Sequence, residues 1–192
     1  MIKVNDTYSI IKGNDNPLSC DVAIIKDKYI FEVGNGDYIV DELSKIVNPI
    51  VFVSHFHQDH LANISKIKYK ELYIGDNTYN YTKSGSIILD DIYIDDIHAF
   101  KINSCHAKGS IGIEVDDYAF IGDVTAPCFK KGQYVYNTQM LKDEIDKLSS
   151  LKAKYFVMSH HMEEVKQKEE VINKLKNIYV RRDKNTPFIL DI

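Results

Sequence analysis

The apolar positions of this chain occur mostly in short runs, which is the pattern of strands rather than of long helices. Runs of three to six apolar or β-branched residues alternate with Gly, Asn, Asp or Pro, residues that favour turns. The predicted strands are 7–12, 22–26, 29–33, 49–53, 72–74, 111–115, 118–121 and 155–158, with further strands inside 87–102. Helical spacing of apolar residues predicts helices over 38–46, 140–151 and 163–178, and a short one over 61–67.

Length and composition fit one ordinary globular domain. A chain of 192 residues can bury a sizeable core but leaves no room for two substantial domains, so 1–192 is predicted to be one unit. The formal net charge of −4 lacks the basic excess of a nucleic-acid binder, and no apolar run approaches the length of a membrane span. The polar start of the chain does not resemble a signal peptide, which favours the cytoplasm.

The cysteines give little support for a disulfide framework. Cys20, Cys105 and Cys128 are three in number, unevenly spaced, and include no Cys-x-x-Cys pair. They are therefore predicted to be free thiols.

Candidate chemistry concentrates where the apolar run 50–53 ends. Just past that end lie four side chains that can bind metal, His55, His57, Asp59 and His60. A single histidine is usually an ordinary surface residue, but a loop at a strand end can aim several ligands at one point. This crowding predicts a metal site, and its spacing suits two ions close together.

The segment His-Phe-His-Gln-Asp-His at 55–60 resembles the His-x-His-x-Asp-His signature of the metallo-β-lactamase-fold superfamily, a group of mostly hydrolytic metalloenzymes. Three later segments resemble its other motifs: His106 before Gly109 and a strand, Gly122-Asp123 after a strand, and Ser159-His160-His161 after a strand. The resemblance covers nearly the whole chain. It implies an α+β fold, a four-layer αββα sandwich of two mixed β-sheets with helices on the outer faces.

The resemblance also implies a complete set of metal ligands. His55, His57 and His106 would hold one ion, Asp59, His60 and His160 the other, and Asp123 would bridge them. Asp59 and Asp123 are on this basis also the predicted catalytic residues. His160 is favoured over its neighbour His161 because it directly follows the residue after the strand, although adjacent histidines leave both alternatives open.

Two divalent ions roughly 3.5–4 Å apart can share a hydroxide and aim it at an electrophile, so no separate nucleophilic side chain is needed. Imidazole and carboxylate ligands suit zinc, iron and manganese, with zinc favoured by its prevalence in hydrolytic sites.

The chain departs from the family pattern at Glu32, where many relatives carry an aspartate. The longer side chain is expected to orient a neighbouring ligand less firmly. His57 stands where the oxygen-reducing flavodiiron branch carries an acidic residue, which argues against that branch. The spacing from Asp123 to His160 is too short for the insertion of the nuclease branch, and the helical domain of glyoxalase II enzymes does not follow His160.

The function predicted from these features is metal-dependent hydrolysis of a small ester-like substrate, with a thioester or lactone favoured over a phosphodiester or β-lactam. The alternative is a persulfide dioxygenase of the same fold, with one iron on His55, His106 and Asp123. Three loops, 13–19, 76–86 and 125–137, are predicted to set substrate choice. Neither nucleic acid nor a membrane is predicted as a partner, and the oligomeric state stays open.

Overall fold

The computed structural model describes residues 1–191 and consists of short strands and five helices within that range. The strands are β1 (Ile2–Lys3), β2 (Tyr8–Ile11), β3 (Asn14–Asp15), β4 (Leu18–Ser19), β5 (Val22–Ile25), β6 (Tyr29–Phe31), β7 (Ile50–Val53), β8 (Glu71–Ile74), β9 (Ser86–Ile87), β10 (Ile92–Ile94), β11 (Ile97–Ile102), β12 (Ser110–Val115), β13 (Tyr118–Gly122), β14 (Cys128–Lys130), β15 (Gln133–Asn137), β16 (Tyr155–Met158), β17 (Lys166–Gln167) and β18 (Phe188–Leu190). The helices are α1 (Asp37–Leu43), α2 (Gln58–Leu61), α3 (Asp76–Thr82), α4 (Thr138–Ser150) and α5 (Lys168–Val180).

Two large mixed sheets form the centre of the molecule. The first has the order β1-β2-β5-β6-β7-β8-β9, antiparallel as far as β6 and parallel from β6 to β9. The second has the order β10-β11-β12-β13-β16-β17, with only the β13–β16 pair parallel. The predicted mixing of strand directions is thus confirmed.

Three apolar clusters define four layers. The cluster between the sheets joins side chains such as Phe31 and Phe120, whose ring centroids lie 5.7 Å apart. A second cluster packs Ile39 and Leu43 of α1 on the outer face of the first sheet, and a third packs α4 and α5 on the outer face of the second. This is the predicted αββα sandwich. Within residues 1–191, none of the helices is both long and apolar enough to cross a bilayer.

The three segments predicted as loops contain regular structure. Residues 13–19 form the small β3–β4 hairpin, residues 76–82 form α3, and residues 128–137 form the β14–β15 hairpin, which β18 extends to a three-stranded sheet.

Two helix boundaries also differ from the prediction. The helix predicted over 61–67 begins earlier, at Gln58, and ends at Leu61. The last helix begins at Lys168 rather than at residue 163, because Lys166 and Gln167 pair with β16 as strand β17.

Candidate metal centre

The sequence-predicted ligands lie at one edge of the sandwich, where strands of both sheets end. Four follow β7 of the first sheet, and Asp123 and His160 follow the parallel strands β13 and β16 of the second, while His106 precedes β12. The carboxyl ends of neighbouring parallel strands meet at one sheet edge. The fold therefore brings all seven predicted residues into one region.

Backbone hydrogen bonds fix the ligand loops to each other. The amides of Val33 and Gly34 donate to the carbonyl of His60 at 3.0 and 3.1 Å, and Ile111 donates to the carbonyl of Ser54 at 2.9 Å. Ser159 donates to the carbonyl of Gly122 at 3.3 Å. These bonds connect segments of both sheets, so the loops have little freedom to separate.

Three imidazoles form the first group. His55 Nε2 lies 2.9 Å from His57 Nδ1, which lies 3.1 Å from His106 Nε2. The far nitrogens of two rings have other partners: His55 Nδ1 lies 2.8 Å from Ser54 Oγ, and His106 Nδ1 lies 3.5 Å from the carbonyl of Pro127. A proton on Nδ1 of His106 leaves the Nε2 lone pair directed at the group, as a metal ligand requires.

Two carboxylates and two imidazoles form the second group. Asp59 Oδ2 lies 3.2 Å from His60 Nε2 and 3.3 Å from His160 Nε2. Asp123 Oδ2 lies 3.3 Å from His60 Nε2 and 3.5 Å from His160 Nε2. The same Asp123 oxygen is 3.7 Å from His106 Nε2 of the first group, so it lies between the two groups.

His160, and not His161, faces this cluster. His161 is exposed and its backbone has a φ of 66°, which directs the chain away after His160. The groups of three that could hold an ion include His55 with His57 and His106, and Asp59 with His60 and His160. That these residues bind metal stays a prediction, but the geometry it needs is present.

Glu32 is the buried carboxylate behind His60. Its Oε1 lies 3.1 Å from His60 Nδ1 and accepts the Ser159 hydroxyl at 2.6 Å, while Oε2 accepts the Ser54 amide at 3.1 Å. The longer side chain of Glu32 was expected to orient a neighbouring ligand less firmly. Instead, both of its carboxylate oxygens accept hydrogen bonds. The backbone of Glu32 is left-handed, with φ 70°.

The donor set fits a cation. The Nε2 atom of His60 is buried and has no hydrogen bond in good geometry among residues 1–191, although the carboxylate oxygens of Asp59 and Asp123 lie 3.2 and 3.3 Å away. An unsatisfied buried nitrogen is costly, and a metal ion placed between it and the carboxylates removes that cost. Imidazole and carboxylate donors at this spacing suit divalent transition metals.

The electrostatics of the two groups differ. Burial, with the neighbouring histidines, lowers the pKa of His55 to about 2, and burial also lowers the pKa of His57, so both rings are neutral at neutral pH. Burial alone would raise the pKa of Asp59 and Asp123, but contacts with His160 and His60 hold both well below the ordinary value. Neutral imidazoles and ionised carboxylates are the protonation states that bind metal.

The pKa values of both histidines of the second group are raised, which favours their positively charged forms. Contacts with Asp123 and then Asp59 raise the pKa of His160 to about 9. Burial opposes charge on His60, but Cys20, Glu32 and the two aspartates raise its pKa well above the ordinary value. A proton on these rings balances the carboxylates in the way a bound cation would.

Asp21 supports the site without a signal in the sequence. It is buried, accepts the amides of Gly13 at 2.7 Å and Met162 at 2.8 Å, and its own amide donates to the carbonyl of Ser159 at 2.9 Å. It thereby ties the β3–β4 hairpin to the segment that carries His160. A lone aspartate beside an apolar run gives no pattern from which this role follows.

No protein-family model matches the sequence, and no curated protein matches it significantly. Solved structures do match. DIM-1 metallo-β-lactamase superposes with a TM-score of 0.65 at 13% identity over 93% of this chain and 95% of its own. A B3 metallo-β-lactamase with an active-site glutamic acid gives 0.61 at 10% identity, covering 85% and 84%.

The chain has the metallo-β-lactamase fold. The resemblance inferred from the motifs is confirmed at that level. A mutant of the flavo di-iron protein from Thermotoga maritima gives a TM-score of 0.65 at 17% identity over 86% of this chain. This chain spans only 53% of that protein's length. Similarity of the metallo-β-lactamase fold therefore does not by itself separate hydrolases from di-iron proteins.

Proposed function

We propose that the protein is a metal-dependent hydrolase with a dinuclear site. The observation that carries the proposal is the position of Asp123, whose Oδ2 lies within 3.7 Å of the first group and within 3.5 Å of both imidazoles of the second. A carboxylate between the two ligand groups would be available to both if each group held an ion. Zinc is proposed, with iron or manganese as the other metals that the donors suit.

Each residue has a defined task in this proposal. The three histidines of the first group and the Asp59, His60 and His160 of the second hold the ions, and Glu32 and Ser54 fix the rings of His60 and His55. Two ions held there would supply a nucleophile from water at neutral pH and would polarise the scissile bond. No side-chain nucleophile is required, and the chain's own contribution is to orient donors and shape the cleft.

The cleft beside the second group supports a small substrate. A cavity of about 310 Å³ is lined by the β3–β4 hairpin together with Lys12, His160 and His161. Beside the first group, the rings of Phe56 and Tyr81 stack 4.9 Å apart, and the ring of Phe56 lies 5.1 Å from that of His57. We propose a thioester or lactone ahead of a phosphodiester or β-lactam, and the apolar surface of the two stacked rings supports binding of an acyl group.

The test is metal analysis of the purified protein together with assays on a panel of thioester, lactone, phosphodiester and β-lactam substrates. Close to two transition-metal ions per chain and hydrolysis of an ester-like substrate are expected. Asp123→Ala should lose both activity and one ion while keeping the far-ultraviolet circular dichroism spectrum of the fold. A metal-replete Asp123→Ala variant that still hydrolyses the substrate would rule the bridging role out.

A persulfide dioxygenase with one iron is the second candidate. It is favoured by one contact, the 3.7 Å between His106 Nε2 and Asp123 Oδ2, which places a carboxylate beside the first group. Iron near one ion per chain, with oxygen uptake in the presence of a persulfide, would select this reaction. Two ions per chain without oxygen uptake would select hydrolysis.

A further inference from the structure

Two of the three cysteines meet on one backbone oxygen. The thiol of Cys105 donates to the carbonyl of Val135 at 3.4 Å, and the thiol of Cys128 donates to the same carbonyl at 3.3 Å. Because both sulfur atoms contact the same oxygen atom, they are neighbours in space. Cys20 is elsewhere, fully buried beside His60, where burial raises the pKa of its thiol to about 12.

The backbone brings the pair together from two segments of chain. Cys128 is the first residue of β14 and pairs across the hairpin with Val135. Cys105 lies in the loop before β12, and the amide of Asn137 at the end of β15 donates to its sulfur at 3.2 Å. The hairpin thus holds Cys105 through both Val135 and Asn137, and each thiol is only partly buried.

This pair borders the candidate metal centre. Cys105 immediately precedes His106, and Cys128 follows Pro127, whose carbonyl lies 3.5 Å from His106 Nδ1. Beneath the loop, the carboxyl of Glu144 on α4 is fully buried, and neither of its oxygens has a hydrogen-bond partner among the described residues. Burial raises the pKa of Glu144 well above its ordinary value.

We propose that Cys105 and Cys128 are a redox pair that closes to an intramolecular disulfide when a hydroperoxide oxidises the protein. The two sulfurs already contact one oxygen, so they are near enough in space to be candidates for a disulfide. The bond would attach the residue before His106 to the β14–β15 hairpin. This modification site lies outside the proposed hydrolytic chemistry.

The reaction balances with hydrogen peroxide as the oxidant. Written with Cys105 as the first nucleophile, its sulfur attacks one peroxide oxygen, the O–O bond breaks, and water leaves, which produces a sulfenic acid on Cys105. The Cys128 sulfur then attacks the Cys105 sulfur, the S–S bond forms, and the S–O bond breaks with release of a second water. Two electrons pass from the thiols to the peroxide.

The test maps disulfides in the protein as purified after treatment with stoichiometric hydrogen peroxide. Remaining thiols are alkylated under denaturing conditions, and the chain is cut with trypsin. Lys101, Lys108 and Lys130 place Cys105 and Cys128 in separate peptides, 102–108 and 109–130, and Cys20 lies in a third, 13–26. We expect a cross-linked pair of peptides 102–108 and 109–130, reversed by a dithiol reductant, with the Cys20 peptide alkylated as the internal control.

A Cys128→Ser variant removes one of the two sulfurs and leaves Cys105 without its partner. It should form no disulfide and should retain a sulfenic acid on Cys105 that a cyclic diketone traps. The proposal is overturned if the oxidised wild-type protein still yields alkylated Cys105 and Cys128 peptides, or sulfinic acids in place of the cross-link. A cross-link that involves Cys20 in either protein would likewise overturn it.

Discussion

Glu32 is the residue at which the chain departs most clearly from the expected motif, and it is held at three points. It contacts His60 Nδ1 and accepts hydrogen bonds from Ser54 and Ser159, which belong to segments of different sheets. A carboxylate that fixes the far nitrogen of a ligand imidazole sets its tautomer and raises its basicity. Glu32 is therefore expected to tune metal affinity without touching the ion.

Glu32→Gln should weaken the binding of the more loosely held metal by about ten-fold or more, the scale typical of such partners of metal ligands. The charge is lost while side-chain volume is kept. The measurement is a competition titration with a chromophoric chelator. Glu144→Gln is the matched control, because Glu144 is equally buried but belongs to neither metal group. Equal affinities for the wild-type protein and Glu32→Gln would contradict the assigned role.

His160 and His161 give a second comparison at single residues. His160→Ala removes the imidazole that lies 3.3 Å from Asp59 and 3.5 Å from Asp123, and should lower affinity for the second metal at least about ten-fold. His161→Ala removes an exposed ring outside both groups and should leave that affinity nearly unchanged. The same titration measures both variants. Loss of the metal in His161→Ala alone would show that the final motif is shifted by one residue.

At the level of elements, the sequence predicts those whose apolar pattern is strong and misses those that tertiary contacts impose. The longer strands of both large sheets are recovered because β-branched runs end at turn residues, whereas the two-residue strands β1 and β17 are not. Helix α3 is missed, since Asn, Thr and Tyr between 77 and 82 are weak helix formers without apolar periodicity, and its ring at Tyr81 is held by stacking on Phe56.

Two other misses have different causes. The β14–β15 hairpin carries a readable signal, because Lys131 and Gly132 form its turn with φ values of 50° and 82° between β-prone flanks. The late start of α5 has no such signal in the sequence. The residues before Lys168 are compatible with a helix, but Gln167 pairs with Tyr155 of β16 and is part of a strand instead.

Helices α4 and α5 differ in how their first turns are satisfied, which allows a controlled test. Asn137 caps α4, and its side-chain oxygen accepts the amide of Met140 at 3.0 Å, whereas Gln167 at the start of α5 makes no side-chain cap bond. Asn137→Ala should lower the free energy of unfolding by about 0.5–2 kcal/mol. Gln167→Ala should change it by less than about 0.5 kcal/mol. Urea denaturation followed by circular dichroism measures both, and equal effects would refute the assigned cap.

For the whole molecule, the sequence indicates both the layer architecture and the meeting of the candidate ligands, because the motifs follow one another in order at strand ends. It does not indicate how firmly the two sheets are joined at that edge. The crossing hydrogen bonds, such as that from Ile111 to Ser54, depend on the register between the sheets, which the apolar pattern leaves undetermined.

Metal binding should stabilise the whole fold, since the candidate ligands come from both sheets. At a free metal concentration one hundred times the dissociation constant, linkage predicts a gain of about 2.7 kcal/mol in the free energy of unfolding. Calorimetry of the loaded and chelator-treated protein measures the shift in melting temperature. His57→Ala should reduce the shift. A melting temperature that does not respond to metal would contradict binding across the two sheets.

The distribution of the ligands along the chain also bears on biosynthesis. Four of the seven lie between residues 55 and 60, but His106, Asp123 and His160 follow at wide intervals. A nascent chain that has just emerged as far as residue 90 displays four donors and can complete neither group. The second group closes only after β16 leaves the ribosome, so correct metallation is expected as a late, largely post-translational event, and the early donors stay open to the wrong ion until then.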